Sequence, residues 1–353
     1  MATMAEVARR AGVSPATVSH VVNATRPVSE STRQRVLDAI QTTGYVHNRL
    51  ARSLATSTTR TIGLVISAIS NPYFTAVVHA LEVELSRAGY TLLLADPHED
   101  HDRELAIVRT LHERRVDGLL MAPVPGSRAG SLAYLAEHRI PTVLVDRVAW
   151  DRFDQVASEN EQATEQLTAH LAELGHQRIG FVAGLAGLST TNERRTGYRR
   201  GLQHAGRRPD RTLEASGASE AGGARDAVGR LLDSPAPPTA LVVANNQMTI
   251  GVMQELRARG VRVPQDLALV AFDDFEWADL FSPRLTTMAQ AVDAIGVEAV
   301  HLLLTRLRQP DIPPRTVRIP PSFVHRESCG CEVRGSGKGL VAPTTRARAT
   351  DLD

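Results

Sequence analysis

Residues Thr3–Asn23 read TMAEVARRAGVSPATVSHVVN. Met4, Val7, Ala8 and Ala11 fall at the spacing of one buried helical face. Gly12 breaks that helix, and Val13, Val18, Val21 and Val22 begin a second apolar pattern. Ser14 suits an N-cap and Pro15 the first helical position, so a second short helix is predicted over Pro15–Val22. Two short helices around a tight glycine turn form a helix-turn-helix. The front of the second helix then faces base edges in the major groove, here Pro15, Ala16, Thr17 and, a turn later, His20.

The charge distribution agrees. Residues 1–60 hold eight arginines against Glu6, Glu30 and Asp38, a surplus of five positive charges; the rest of the chain runs four negative. A basic head on a mildly acidic body implies a polyanionic partner for the head. Apolar content of 42% and charged content of 22% are ordinary for a water-soluble chain. No apolar run follows Arg9 and Arg10, so no secretory leader is expected, and no stretch approaches the roughly 20 apolar residues of a membrane span. A cytoplasmic location is the expectation. The only cysteines, Cys329 and Cys331, form a C-x-C pair without further ligands nearby in sequence, and idle reduced thiols are expected. No metal site and no cofactor are expected.

Working outward, Ser29 is placed to cap a third helix with Val36, Leu37 and Ile40 on one face and Gly44 at its end. The octet Asn48–Ala55 favours helix, but the Ser/Thr run at 56–59 reads as a linker. So short a helix lies below the roughly 12–15 residues that hold together alone in water; it is expected to form against DNA and a partner copy. From Ile62 the pattern alternates. Buried parallel strands are predicted at 62–66, 91–95, 118–121, 142–145, 179–182, 240–243 and 267–272. Helical patterns fall between them, for example at 74–88, 103–114, 161–174, 193–205 and 250–259. This is a doubly wound α/β pattern, long enough for two lobes. Gly89, Gly175, Gly206 and Gly260 stand where helix C-termini are expected.

The chain resembles the LacI/GalR family of transcriptional repressors from residue 2 to about 330. Its headpiece, with NRLARSLATS at 48–57, is most like that of the purine repressor. The core carries RVDGLLM (115–121), PTVLVDR (141–147), LGHQRIGFVAG (174–184), PTALVVANNQMTIG (238–251), RVPQDLALVAFDD (262–274), SPRLTTM (282–288) and VHRESC (324–329) in family order. The resemblance implies a DNA-binding headpiece over 1–47 and a hinge helix with linker over 48–60. A two-lobed, periplasmic-binding-protein-like effector core follows over 61–331. Its N-lobe spans about 61–159 and 289–319, and its C-lobe about 160–288 and 320–331. Residues 332–353 lack periodicity and read as a disordered tail.

For DNA, the resemblance implies a homodimer on a pseudopalindromic operator. His20 and Arg26 match base-reading positions; Thr3, Ser14, Thr17, Ser19, Asn23 and Tyr45 match phosphate or sugar contacts; Leu54 matches the minor-groove wedge. Pro15 and Ala16 depart from the pattern, because neither side chain can hydrogen-bond a base edge, though Ala16 can touch a thymine methyl. For the effector it implies a cleft at the strand C-termini holding Ser67, Tyr73, Phe74, Asp146, Asn160, Thr190, Arg194, Asn245 and Asp273. Carboxylates, an amide, an arginine and a flat ring suit a sugar or sugar derivative. A purine or nucleoside co-repressor is the alternative, disfavoured because the purine repressor's further arginine is Leu188 here. The region around Gly217–Gly223 also lacks the family's aromatic lid. An exported solute-binding protein would share the core but not the basic headpiece. An α/β enzyme is disfavoured because the chain has no P-loop, no G-x-S-x-G elbow and no complete G-x-G-x-x-G.

Overall fold

The computed structural model describes residues 2–23, 26–45 and 58–331. The chain divides into two compact units, residues 1–59 and 60–353. In the first, helices α1 (Met4–Ala11), α2 (Pro15–Asn23) and α3 (Glu30–Thr43) pack around Val7, Ala8, Ala11, Val18, Val36 and Ala39. Thr3 caps α1 through Glu6 N, and Gly12 ends it with a left-handed φ of 64° that a side chain would strain. The Ser14 hydroxyl accepts from Thr17 N at 3.1 Å, the cap expected of it. Two details differ from the sequence expectation. Ser29 precedes α3, but its hydroxyl donates to Thr32 Oγ1 instead of capping the backbone. Leu37 is exposed, and the smaller Ala39 fills the inward position.

The second unit holds two six-stranded sheets. The first has the order β11–β5–β4–β3–β1–β2, all parallel: Thr316–Ile319, Asp154–Ser158, Thr142–Val145, Gly118–Met121, Thr61–Val65 and Thr91–Ala95. The second has the order β12–β10–β9–β8–β6–β7: Ser322–Val324, Thr286–Ala289, Ala268–Phe272, Ala240–Val243, Ile179–Ala183 and Glu214–Ser216. Only its β10–β12 pair is antiparallel. Helices α4 (Pro72–Arg87) and α11 (Val292–Arg308) cover one face of the first sheet; α5 (His101–Glu113) and α6 (Ser131–Glu137) cover the other. The second sheet is enclosed by α7 (Glu161–Glu173), α8 (Ser189–His204), α9 (Ala221–Leu232) and α10 (Asn246–Ala258). The chain passes between sheets three times, after β5, after β10 and after β11.

All seven strands read from apolar runs are present, but β2 is not buried as that reading required. Sheet order leaves it at an edge, with Leu93 36% and Leu94 39% exposed. Strand β5 (DQVAS) escapes the apolar criterion because three of its five residues are polar. It is nonetheless wholly buried: Asp154 accepts from Arg306 Nε and from Arg315 N, both at 2.9 Å. Strands β7, β10, β11 and β12 likewise lie outside the apolar runs. The four glycines expected at helix ends all have positive φ. No described helix is long and apolar enough to cross a membrane.

Candidate functional site

A cavity of about 60 Å³ lies between the two sheets, at their strand C-termini. Two aspartates define it. Asp146 follows β4 and Asp273 follows β9; both are buried, and both adopt left-handed backbone, with φ of 66° and 71°. Non-glycine residues hold that conformation at a cost, and such strain concentrates at functional positions. On the first lobe, Tyr73, in the first turn of α4, donates its hydroxyl to Asp146 Oδ1 at 2.7 Å, and Phe74 lies beside it. Burial raises the Asp146 carboxyl above the usual range against the opposing pull of Arg147, Arg194 and Tyr73. Burial, with Asp146 adjacent, also pushes the Tyr73 hydroxyl well up.

On the second lobe, Arg194 is oriented by neutral groups. Its Nε donates to Asn160 Oδ1 at 2.9 Å and its Nη1 to the Ala244 carbonyl at 2.5 Å. The guanidinium lies 3.7 Å above the Phe272 ring centroid, with Nη2 at 3.9 Å from Asp273 Oδ1. Two local features place it there. Glu159 accepts the first amides of α7 (Glu161, Gln162 and Ala163), so Asn160 caps nothing and its side chain serves Arg194. Gly197 brings α8 close to α7, since a Cβ there would stand 2.1 Å from the Glu161 carbonyl oxygen. Asp273 accepts from Gln290 Nε2 at 2.6 Å and Asn246 N at 3.3 Å. Asn245 caps α10 through Met248 N, and Thr190 lines the cavity from the first turn of α8.

Of the nine residues singled out from sequence, Tyr73, Phe74, Asp146, Thr190, Arg194, Asn245 and Asp273 line the cavity. Ser67 and Asn160 stand behind the wall: Ser67 Oγ accepts from Glu99 N at 3.0 Å, and Asn160 supports Arg194. Arg194 and Asp273 sit on the same lobe, so their pairing does not bridge the cleft. Sequence reasoning missed Glu99 and Arg147. The Arg147 Nη1 and Nη2 atoms donate to Glu99 at 2.9 and 2.6 Å, while its buried Nε has no hydrogen-bond partner. Arg147 closes the PTVLVDR phrase, and its place immediately after Asp146 was the available signal. Leu188 also lines the cavity.

In the headpiece, Thr3, Pro15, Ala16 and Arg26 are exposed, as is Ser14, while Thr17, Ser19, His20 and Tyr45 are half-buried. The Asn23 side chain and the whole of 46–57, including Leu54 and the expected hinge helix, lie outside the described residues, as does the expected tail. The cysteine pair is not isolated: the fold brings His170 and His325 to Cys329 and Cys331, with one ligand atom from each within 4.8 Å of the others.

Residues 3–48 match the model of the bacterial regulatory proteins of the lacI family, and residues 168–329 match the periplasmic-binding-protein-like domain. The ribose operon repressor of Escherichia coli (strain K12) is 35% identical, over 93% of this chain and 100% of that one. The HTH-type transcriptional repressor PurR of Vibrio atlanticus (strain LGP32) is 33% identical, over 93% and 98%. The lac repressor dimer bound to operator and the anti-inducer ONPF superposes with a TM-score of 0.84 at 28% identity, over 93% and 99%. The transcriptional regulator CelR in complex with cellobiose gives 0.72 at 31%, over 93% and 100%. A helix-turn-helix unit joined to a two-sheet core, with relatives spanning nearly the whole chain, has one reading: the protein belongs to the lacI family, a DNA-binding transcriptional repressor governed by a small-molecule effector and not an enzyme.

Proposed function

We propose that the effector is a sugar or sugar derivative held between Asp146, Arg194 and Asp273, with Tyr73, Phe74, Thr190 and Asn245 completing the wall. The convergence of two buried, left-handed aspartates on one inter-sheet cavity carries this reading. Carboxylates and a guanidinium bracket adjacent hydroxyls, and the Phe74 ring offers an apolar face. Leu188 supplies no hydrogen bond to a purine. Ligand pockets usually measure about 300–1,000 Å³, so the effector enters by parting the lobes about the three crossings between sheets. The related regulator CelR is solved in complex with cellobiose, which supports the carbohydrate class. Thermal-shift and calorimetric titration of the full chain with pentoses, hexoses, disaccharides and nucleosides tests it. A ligand of the folded state raises the melting temperature by mass action; a response to nucleosides alone would replace the sugar reading.

The repressor acts as a homodimer on a pseudopalindromic operator in the cytoplasm. The exposed leucines on edge strand β2 support a second copy there, since unpaired apolar edges invite association. Leu280, 81% exposed beside an apolar groove lined by Met253, Pro264 and Phe281, offers a second patch. Sedimentation of Leu93→Arg and Leu280→Arg should show monomers. In the headpiece, Thr3, Ser14, Thr17, Ser19, Asn23 and Tyr45 hold the backbone, His20 and Arg26 read bases, and Leu54 wedges the minor groove. Effector occupancy shifts how the paired lobes present residues 48–55, a coupling of about 1–3 kcal/mol, or 5–150-fold in affinity. On DNA enriched from a random pool by the full chain, Leu54→Ala and Arg26→Ala should weaken binding strongly and Pro15→Ala little. The reverse order would remove the assignment.

A further inference from the structure

We propose that His170, His325, Cys329 and Cys331 form a zinc site on the second lobe, remote in function from the effector cavity. The four residues come from three places in the fold. His170 is in the last turns of α7, His325 directly follows β12, and the cysteines close the described chain. Cys329 Sγ lies 3.3 Å from His325 Nε2 and 2.9 Å from Cys331 Sγ. Cys331 Sγ lies 2.5 Å from His325 Nε2 and 3.6 Å from His170 Nε2. Zinc binds sulfur at 2.3 Å and imidazole nitrogen at 2.0–2.1 Å, so tetrahedral ligand atoms stand about 3.3–3.8 Å apart. Two of the four separations fall within that range and two are shorter, so binding would move Cys331 Sγ outward by about 1 Å; the S–S distance of 2.9 Å exceeds the 2.03–2.05 Å of a disulfide.

The surroundings hold the ligands in place. Ser328 donates its hydroxyl to the Leu269 carbonyl at 2.6 Å, and its own carbonyl accepts from Leu269 N at 2.7 Å, which pins Cys329 to the second sheet. Gly330, with φ of 86°, makes the turn that returns Cys331 to the same side as Cys329. Phe323 meets the His170 ring edge-on at 5.2 Å and stacks on His325 at 6.0 Å, an apolar wall shared by both imidazoles. Cys329 is buried while His325 is exposed, so the ion has a route in from solvent. Two thiolates and two imidazoles suit zinc over the oxygen-seeking cations. On binding, each thiol releases its proton to solvent, the two thiolates neutralise the dication, and the oxidation state of zinc and sulfur is unchanged. The bound ion ties residues 325–331 to α7, the helix whose other end is preceded by Asn160, the support of Arg194.

The test uses the reduced, metal-free full chain, titrated with zinc against a chromophoric chelator and separately with cobalt. One zinc per chain is expected, with a raised melting temperature, and cobalt should show thiolate charge transfer with the intense visible bands of a tetrahedral centre. His170→Gln, His325→Gln and Cys331→Ser, none of them at a fully buried position, should each weaken zinc at least tenfold. Circular dichroism of each variant confirms that it is folded. Unchanged zinc affinity in either histidine variant overturns the four-ligand site. So does a reduced protein that binds no zinc, including one that on air oxidation loses two hydrogens in mass to a Cys329–Cys331 disulfide.

Discussion

The two faces of the cleft carry similar groups in different balance. On the first lobe, Arg147 is engaged by Glu99 through two short hydrogen bonds, and Asp146 by Tyr73. Each charge there has its partner within its own lobe. On the second lobe, Arg194 is aimed by two neutral oxygens, and its nearest acid, Asp273, remains 3.9 Å away. A buried charge held by neutral acceptors keeps more of its electrostatic capacity for a ligand than one already paired. In the proposed effector site, the second lobe therefore has the larger share of unspent charge to offer a ligand.

The comparison breaks most readily at Glu99. Glu99→Gln leaves the buried Arg147 guanidinium with only Asp146, 3.8 Å away, as counter-ion; because Glu99 is itself half-buried, the loss is set at about 2–3 kcal/mol, at the low end for a broken buried pair. Urea unfolding of the full chain should show that loss; a midpoint within error of the parent would mean that the pair is not structural. Next comes Arg194→Met, which should leave the fold standing and weaken the effector about 10–100-fold, the range of a lost charged hydrogen bond or two. Calorimetry with the ligand found in screening measures it, and equal affinity would transfer recognition to the first lobe. A smaller effect is expected from Tyr73→Phe, about 1 kcal/mol in stability, read as a lowered unfolding midpoint with effector affinity changed less than by Arg194→Met. The smallest is expected from Asp146→Asn. Burial raises the folded carboxyl above its unfolded value, so the acid's ionisation disfavours the folded state as pH rises through that window. The variant should gain stability at neutral pH, and the gain should shrink as pH falls toward the ordinary carboxylate range. A gain that grows in acid would reverse the sign of the shift.

Legibility in the sequence followed the range of the interactions. The Ser14 cap, the Gly12 turn and the Val7–Val18 core act within a few turns of chain, and the pattern of residues 3–23 announces all of them, though not the Thr3 cap. Apolar runs likewise mark the strands with buried faces, and the family resemblance marks Asp146, Arg194 and Asp273 as effector-site candidates, all three of which line the cavity. Polar segments were less visible: β5 looks like a loop until Arg306, 152 residues away, satisfies Asp154.

By itself, then, the amino-acid order determined the headpiece, the α/β alternation and the family to which the chain belongs, because helical period, capping and turn chemistry are local. Only the tertiary structure decided which residues stand in front of the cavity wall and which behind, as with Phe74 and Ser67. It also left Leu93 and Leu94 at an open edge, paired Arg147 with Glu99, and gathered His170 to a cysteine pair about 160 residues downstream. These outcomes depend on sheet order and on how α7 and α8 pack, and no short window of sequence contains either.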